Sequence, residues 1–365
     1  MLFKFLQDPH VVKLFDILES NSIEARFVGG IVRDELLYTV KPSPDYDLAA
    51  AYDIQDLSSI LEQNGIHCIT TNIAYKTIIA IIDNTKFEIT ELREDKMCDG
   101  RACETVSTGD FSMDAMRRDF TINALYLDRN GQVYDYCGAI ENGDLQNRLI
   151  RFIGDPEQRI REDYLRILRY YRFCAIYNDV SCMYGTVISA TKHGIRNLSA
   201  ERILSELSKI LQAQYCLTTM KQMYDDGIFE EILCSIKKDI LDRVEQNDWL
   251  RLSVDAKLYM LFGASGISEV KPSRKTQKYM NLLEASMNDN LEYIYYKYGI
   301  DVAIDVAILK KYMTESMEFY RITPQDCGIE PINFSKKLER CERWYVARGY
   351  DASLSECIDF IRKLP

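Results

Sequence analysis

Two short stretches, Gly29-Gly30-Ile31-Val32-Arg33-Asp34 and Asp45-Tyr46-Asp47-Leu48, constrain this chain more than anything else in it. Paired glycines ahead of a mixed apolar and charged run read as a tight turn opening a helix. The second stretch reads as a strand, whose period of two puts Asp45 and Asp47 on one face. Two carboxylates on one face repel each other, and a divalent cation between them relieves this; magnesium suits such an all-oxygen site. A glycine turn at a helix start holds phosphate chains through its N–H groups. Taken alone, Asp45 and Asp47 read equally as a solvated strand end. The glycine-arginine turn beside them favours a metal site in an enzyme that moves a nucleotide.

The remaining patterns predict an α+β chain, with a mixed β-sheet and helices in roughly the first 135 residues and helices after about residue 155. Residues 10–20 have helical spacing, 26–28 form a strand into the turn, and 32–37 form a helix. Asp53 caps a helix through about Gln63. Strands follow at 66–70, 77–82 and 86–92, the last two joined by a hairpin turn near Asn84. Residues 94–114 are polar and glycine-marked and read as a long mobile loop. Periods of 3.6 predict helices over 160–177, 200–214, 217–234 and 256–262, with a connector at 263–273.

The net charge of −11 argues against nucleic-acid binding through overall charge, though not through a local basic face. One local cluster, Lys271, Arg274, Lys275 and Lys278, reads as a solvated connector more readily than as a phosphate contact. Eleven cysteines without a C-x-x-C pair point away from disulfides and zinc and towards reduced thiols in the cytoplasm. His10, His67 and His193 share no metal-ligand spacing. The N-terminal residues lack the pattern of a signal peptide, and no apolar run is long enough to span a membrane. Nothing in the sequence speaks to oligomeric state.

Three further groups carry possible chemistry. Glu88 is a candidate third carboxylate, with Phe87, Ile89 and Glu91 on the opposite strand face; reversed faces would make Glu91 the functional acid. The run from Arg117 and Arg118 through Asp119 to Asn123 offers guanidinium forks for phosphate and an amide for a ribose hydroxyl, or else a charged helix end. On a predicted helix, Asp163 and Arg166 are neighbours, extended by Arg169 and Arg172. As an ordinary ion pair they need no function. Facing a base edge, an Asp acceptor beside an Arg donor suits cytosine and adenine. It leaves uracil and guanine mispaired, at about 1–3 kcal/mol per unsatisfied group.

In this order, GGIVRD, DYDL, RRDFTINAL and EDYLRILRYYRF resemble the class II tRNA nucleotidyltransferases, or CCA-adding enzymes, of the tRNA nucleotidyltransferase/poly(A) polymerase family. The resemblance covers the first 210 residues well. It implies a nucleotidyltransferase head (1–137), a helical neck that recognises the base (138–212), a body (213–275) and a tRNA-binding tail (276–365). It implies two Mg2+ ions held by Asp45 and Asp47, with the RNA 3′-hydroxyl attacking the α-phosphate of CTP or ATP and pyrophosphate leaving. Gly29, Gly30 and Arg33 would hold the triphosphate, and Asp34 would orient the turn.

By the same resemblance, Arg118, Asp119 and Asn123 recognise the ribose and order the head–neck junction. Asp163 and Arg166 form the amino-acid template, with Glu162 orienting Arg166 and with Arg169 and Arg172 in support. Glu201 and Arg202 match a later neck motif that stabilises the template helix, and Asp99 and Arg101 match the family's flexible loop. Tyr38 and Tyr75-Lys76 stand where the family commonly has glycine or small residues. The partners implied are the tRNA 3′ acceptor end, CTP and ATP; the cytoplasmic expectation and that of no membrane span rest on the cysteines and apolar runs above. CC-adding, A-adding and poly(A) polymerase activities stay open, as does a non-catalytic RNA-binding protein.

Overall fold

The computed structural model describes residues 3–39, 45–72, 76–98, 103–178, 183–232, 236, 238–266, 272–313, 324–328, 334, 336–338, 340, 341, 344 and 353–364. Two compact units divide between Leu198 and Ser199. The first contains a seven-stranded mixed sheet of order β3-β4-β5-β2-β1-β8-β9. Its strands are β1 (Ala25–Val28), β2 (Tyr46–Ala50), β3 (His67–Asn72), β4 (Thr77–Ile82), β5 (Thr85–Glu91), β8 (Leu125–Leu127) and β9 (Val133–Asp135). All neighbours run antiparallel except β2 and β5, which are parallel with Tyr46 opposite Phe87 and Asp47 opposite Glu88.

That register sorts the side chains. Phe27, Tyr46 and Phe87 bury one face together with Phe5 and Phe15, in an aromatic row with centroids 4.9–6.0 Å apart. Asp47 and Glu88 are left on the other face. Helix α1 (Pro9–Ser20) begins at Asp8, whose carboxylate caps the His10 N–H. Helix α2 (Gly30–Leu36) follows the glycine turn, and α3 (Ile54–Gln63) is capped by Asp53, which accepts from Gln55 and Asp56.

The predicted loop at 94–114 is corrected. β6 (Arg93–Cys98) and β7 (Cys103–Ser107) pair as an antiparallel ribbon, and Asp110 caps α4 (Phe111–Met116). The polar composition hid the strands because a two-stranded ribbon need not present an alternating apolar face. Asp99 and Arg101 lie outside the described residues.

Helices dominate from residue 144 onwards: α5 (Asp144–Asn147), α6 (Pro156–Glu162), α7 (Leu165–Tyr177) and α8 (Gly185–Thr191) complete the first unit. The single helix predicted over 160–177 is broken. Asp163 is extended (φ −151°, ψ 106°), and its carboxylate accepts from the Leu165 N–H at 3.1 Å. A short acidic side chain that can bond the backbone competes with the helix at this point.

In the second unit, α9 (Ala200–Gln212) is capped by Ser199, and α10 (Cys216–Asp225) and α11 (Ile228–Glu231) are parted at Gly227, whose φ of +70° no helix accommodates. Helices α12 (Lys238–Arg243), α13 (Gln246–Arg251) and α14 (Val254–Gly266) follow; α14 runs into the predicted connector with a break at Gly263. Helices α15 (Arg274–Ser286), α16 (Leu291–Tyr298), α17 (Ile300–Met313) and α18 (Pro324–Cys327) come next, and a C-terminal helix spans Leu354–Lys363. Among the described residues, no helix is long and apolar enough to cross a membrane.

Candidate active site

The site is built on β2 and β5. Asp45 lies just ahead of β2 and Asp47 within it, with Glu88 opposite Asp47. Burial, then the negative charges of Glu88 and Asp45, push the Asp47 carboxyl up to about 6, against the pull of Arg118 and Arg33. A carboxylate in this position gains from a cation, and oxygen donors of this kind fit a hard divalent ion. Among the described residues, no cluster of three or more His, Cys, Asp or Glu side chains is drawn together closely enough to hold a metal. The candidate donors are Asp45 and Asp47, with Glu88 opposite Asp47. Glu91 is on the buried face and pairs with Lys76 at 3.1 Å.

Gly29 carries the chain from β1 into α2 at φ +72° and ψ −120°, a region open only to glycine. A Cβ there would meet the Asn123 carbonyl oxygen at 3.5 Å and Arg118 Nη1 at 3.9 Å. Both are ordinary contact distances, so it is the backbone angle and not lack of space that calls for glycine here. Gly30 opens α2, and three residues later Arg33 is buried. Arg33 donates to Asp34 at 2.7–2.8 Å and to the Asn123 side-chain oxygen at 2.5 Å.

Asn123 in turn donates to Asp119 at 3.1 Å, and Asp119 accepts from Arg169 of α7 at 2.6 Å. One polar chain, Asp34–Arg33–Asn123–Asp119–Arg169, therefore joins the glycine turn to the helix after Asp163. Burial alone would raise the Asp119 carboxyl; Arg169 and the Asn123 amide instead hold it well below the usual carboxylate range.

Arg117 and Arg118 both bind Asp114, a buried residue of α4, at 2.6–3.2 Å, and Arg118 and Asp114 share the Tyr126 hydroxyl. Arg118 is therefore a held guanidinium close to Asp47 and Gly29. Sequence reading missed Asp114. Asp114 is three and four residues ahead of the two arginines, the spacing of helical ion pairs, and that signal was available.

The base-reading candidates come together differently from the prediction. With the helix broken, Asp163 and Arg166 do not share a helical face; Asp163 precedes α7 and its carbonyl accepts from the Arg166 N–H at 3.0 Å. Glu162 accepts from Arg166 Nη1 at 2.8 Å. Arg172 lies over the Phe173 ring at 4.5 Å, and Arg33 faces the same ring at 5.2 Å. Glu201 and Arg202 are in the first turn of α9, in the second unit. Tyr38 and Lys76 have φ of +55° and +50°, so both keep a left-handed backbone of the kind glycine favours.

Residues 25–151 match the poly A polymerase head domain, and residues 186–240 match a segment described as the probable RNA and SrmB-binding site of polymerase A. The first unit thus carries a nucleotidyltransferase head of the poly(A) polymerase type. Both matched segments are similar to parts of the tRNA nucleotidyltransferase/poly(A) polymerase family, and nucleotidyltransferases of this kind generally use divalent metal ions.

The mitochondrial CCA tRNA nucleotidyltransferase 1 of Danio rerio is 36% identical over 62% of this chain and 53% of its own length. The CCA-adding enzyme of Streptococcus gordonii is 34% identical over 58% and 52%. The chain thus spans about half the length of these curated relatives. The crystal structure of the Bacillus stearothermophilus CCA-adding enzyme in complex with CTP superposes with a TM-score of 0.68 at 20% identity, over 97% of each chain. At that identity the likeness is one of fold.

Proposed function

We propose that this protein adds the CCA end to tRNA without a nucleic-acid template, taking CTP and ATP and releasing pyrophosphate. One observation carries the reading: Asp47, crowded by Glu88 and Asp45, faces Arg33 and Arg118 beside a glycine turn. Opposed charges around one turn suit a metal–triphosphate substrate.

Asp45 and Asp47 are the residues to hold Mg2+, and Glu88 adds negative charge beside them. Magnesium bound there supplies positive charge that makes the primer 3′-hydroxyl more acidic and screens the triphosphate. The backbone of Gly29 and Gly30, with Arg33 and Arg118, receives the phosphates, and Asn123 meets the ribose. The 3′-oxygen bonds to the α-phosphorus as the bond to the β-phosphate bridge breaks. Asp163 and Arg166 read cytosine and adenine, Glu162 holds Arg166, and Arg169 and Arg172 support it.

On this reading residues 1–137, 138–212, 213–275 and 276–365 work as head, neck, body and tail, with Glu201 and Arg202 steadying the neck and the tail engaging tRNA. A cytoplasmic setting fits the reduced cysteines; since vertebrate relatives are named mitochondrial, cell fractionation checks it.

The test is extension of a tRNA lacking its CCA end, resolved to single nucleotides, with CTP and ATP separate and together. C-C-A followed by a stop is expected, and Asp47→Ala should abolish all addition. Arrest after CC, addition of A alone or continued A addition would replace the proposal by a CC-adding enzyme, an A-adding enzyme or a poly(A) polymerase. No addition would leave a binding protein.

A further inference from the structure

Arg159 lies on α6, seven residues ahead of Arg166, and its guanidinium is turned inward with under a tenth of its side chain exposed. Its Nη1 donates to Glu162 Oε2, and its Nη2 donates to the carbonyls of Arg117 and of Arg118, the latter at 2.9 Å. Arg166 uses the same acceptors. Its Nη1 donates to Glu162 Oε2 and to the Arg159 carbonyl, both at 2.8 Å, and its Nη2 donates to the Arg117 carbonyl at 3.1 Å. Each acceptor that orients Arg166 in these bonds therefore either belongs to Arg159 or is bonded to it. A second hand on Glu162 is Gln158, whose amide donates to Oε1 at 3.1 Å.

A guanidinium has five N–H donors in a rigid plane, and these bonds engage three of the five on Arg166. Discrimination between an acceptor and a donor on a base edge depends on how firmly that plane is held, because a tilted fork can re-pair with the wrong base. Two guanidiniums share one carboxylate oxygen here, so the group retains net positive charge for an acceptor on the ligand.

We propose that Arg159 is a positioning residue for base selection: it locks Glu162 and the Arg117 carbonyl, and through them the plane of Arg166. This rests on the reading of Arg166 as a base reader. Lysine cannot replace it fully, because an ammonium lacks the fork that reaches the carboxylate and both carbonyls together.

The experiment uses the full chain and measures kcat/KM for CTP against UTP on a tRNA lacking CCA, and for ATP against GTP on a tRNA ending in CC. The variants are Arg159→Ala, Arg159→Lys, Arg166→Ala and the double alanine variant, each checked for folding by circular dichroism. Arg159→Ala should weaken both preferences about tenfold, Arg159→Lys about threefold, and the double variant no more than Arg166→Ala alone. If the alanine variant fails to fold, the lysine variant decides.

A folded Arg159 variant with unchanged preferences, beside an Arg166→Ala that loses them, overturns this inference and leaves the base-reading assignment standing. Unchanged preferences in Arg166→Ala overturn the assignment itself. A double variant markedly less selective than Arg166→Ala would mean that Arg159 acts by another route, which also overturns the inference.

Discussion

Asp114 shows how one buried carboxylate decides what its neighbours can do. Burial alone would raise its pKa, yet Arg118, Arg117 and the Tyr126 hydroxyl hold it well below the usual carboxylate range. Removing it strands two largely buried guanidiniums. Asp114→Ala should therefore lose about 3 kcal/mol of stability in urea titration, since deleting one partner of a buried pair costs about 3–5 kcal/mol. It should also slow nucleotide addition, because Arg118 loses the group that aims it. Gly29→Ala should cost about 1–3 kcal/mol through backbone strain alone and raise the KM for nucleotide; an unchanged melting curve would contradict the φ of +72° on which this rests.

At the scale of elements, the parallel pairing of β2 with β5 decides between Glu88, the candidate read from the sequence, and Glu91, its alternative on reversed faces. Glu88 stands opposite Asp47 and is exposed, while Glu91 is buried with Lys76. Glu88→Gln should lower kcat by tenfold or more with little change in melting temperature. Glu91→Gln should do the reverse, losing about 1–3 kcal/mol while kcat holds. Equal effects of the two would contradict this division of faces. Lys76 also donates to the Ser107 hydroxyl at the end of β7, so the Glu91 pair ties the ribbon to the sheet. The predicted loop at 94–114 failed because pattern reading looks for one apolar face, which this ribbon does not need. The predicted helix over 160–177 failed at Asp163 because periodicity does not register a side chain that caps the next turn.

For the whole molecule, acid stability follows from Asp114 and Asp119. Both have folded pKa values depressed below the ordinary 3.8, so the stability they contribute is present above that value and is lost as pH falls through the folded values. The melting temperature should hold between about pH 7 and 5 and drop below about pH 4, and Asp114→Asn should flatten that drop while lowering the plateau.

The sequence alone determined the strand that carries Asp45 and Asp47, the glycine turn, the α+β order and the family resemblance, because each depends on local spacing or on short motifs. Only the tertiary structure decided that Glu88 and not Glu91 meets Asp47, that Asp114 holds both arginines, and that Arg159 shares the acceptors of Arg166. Strand register and long-range hydrogen bonds join residues as far as 90 positions apart in the site, as in Arg33 with Asn123, and no local period encodes such a partner.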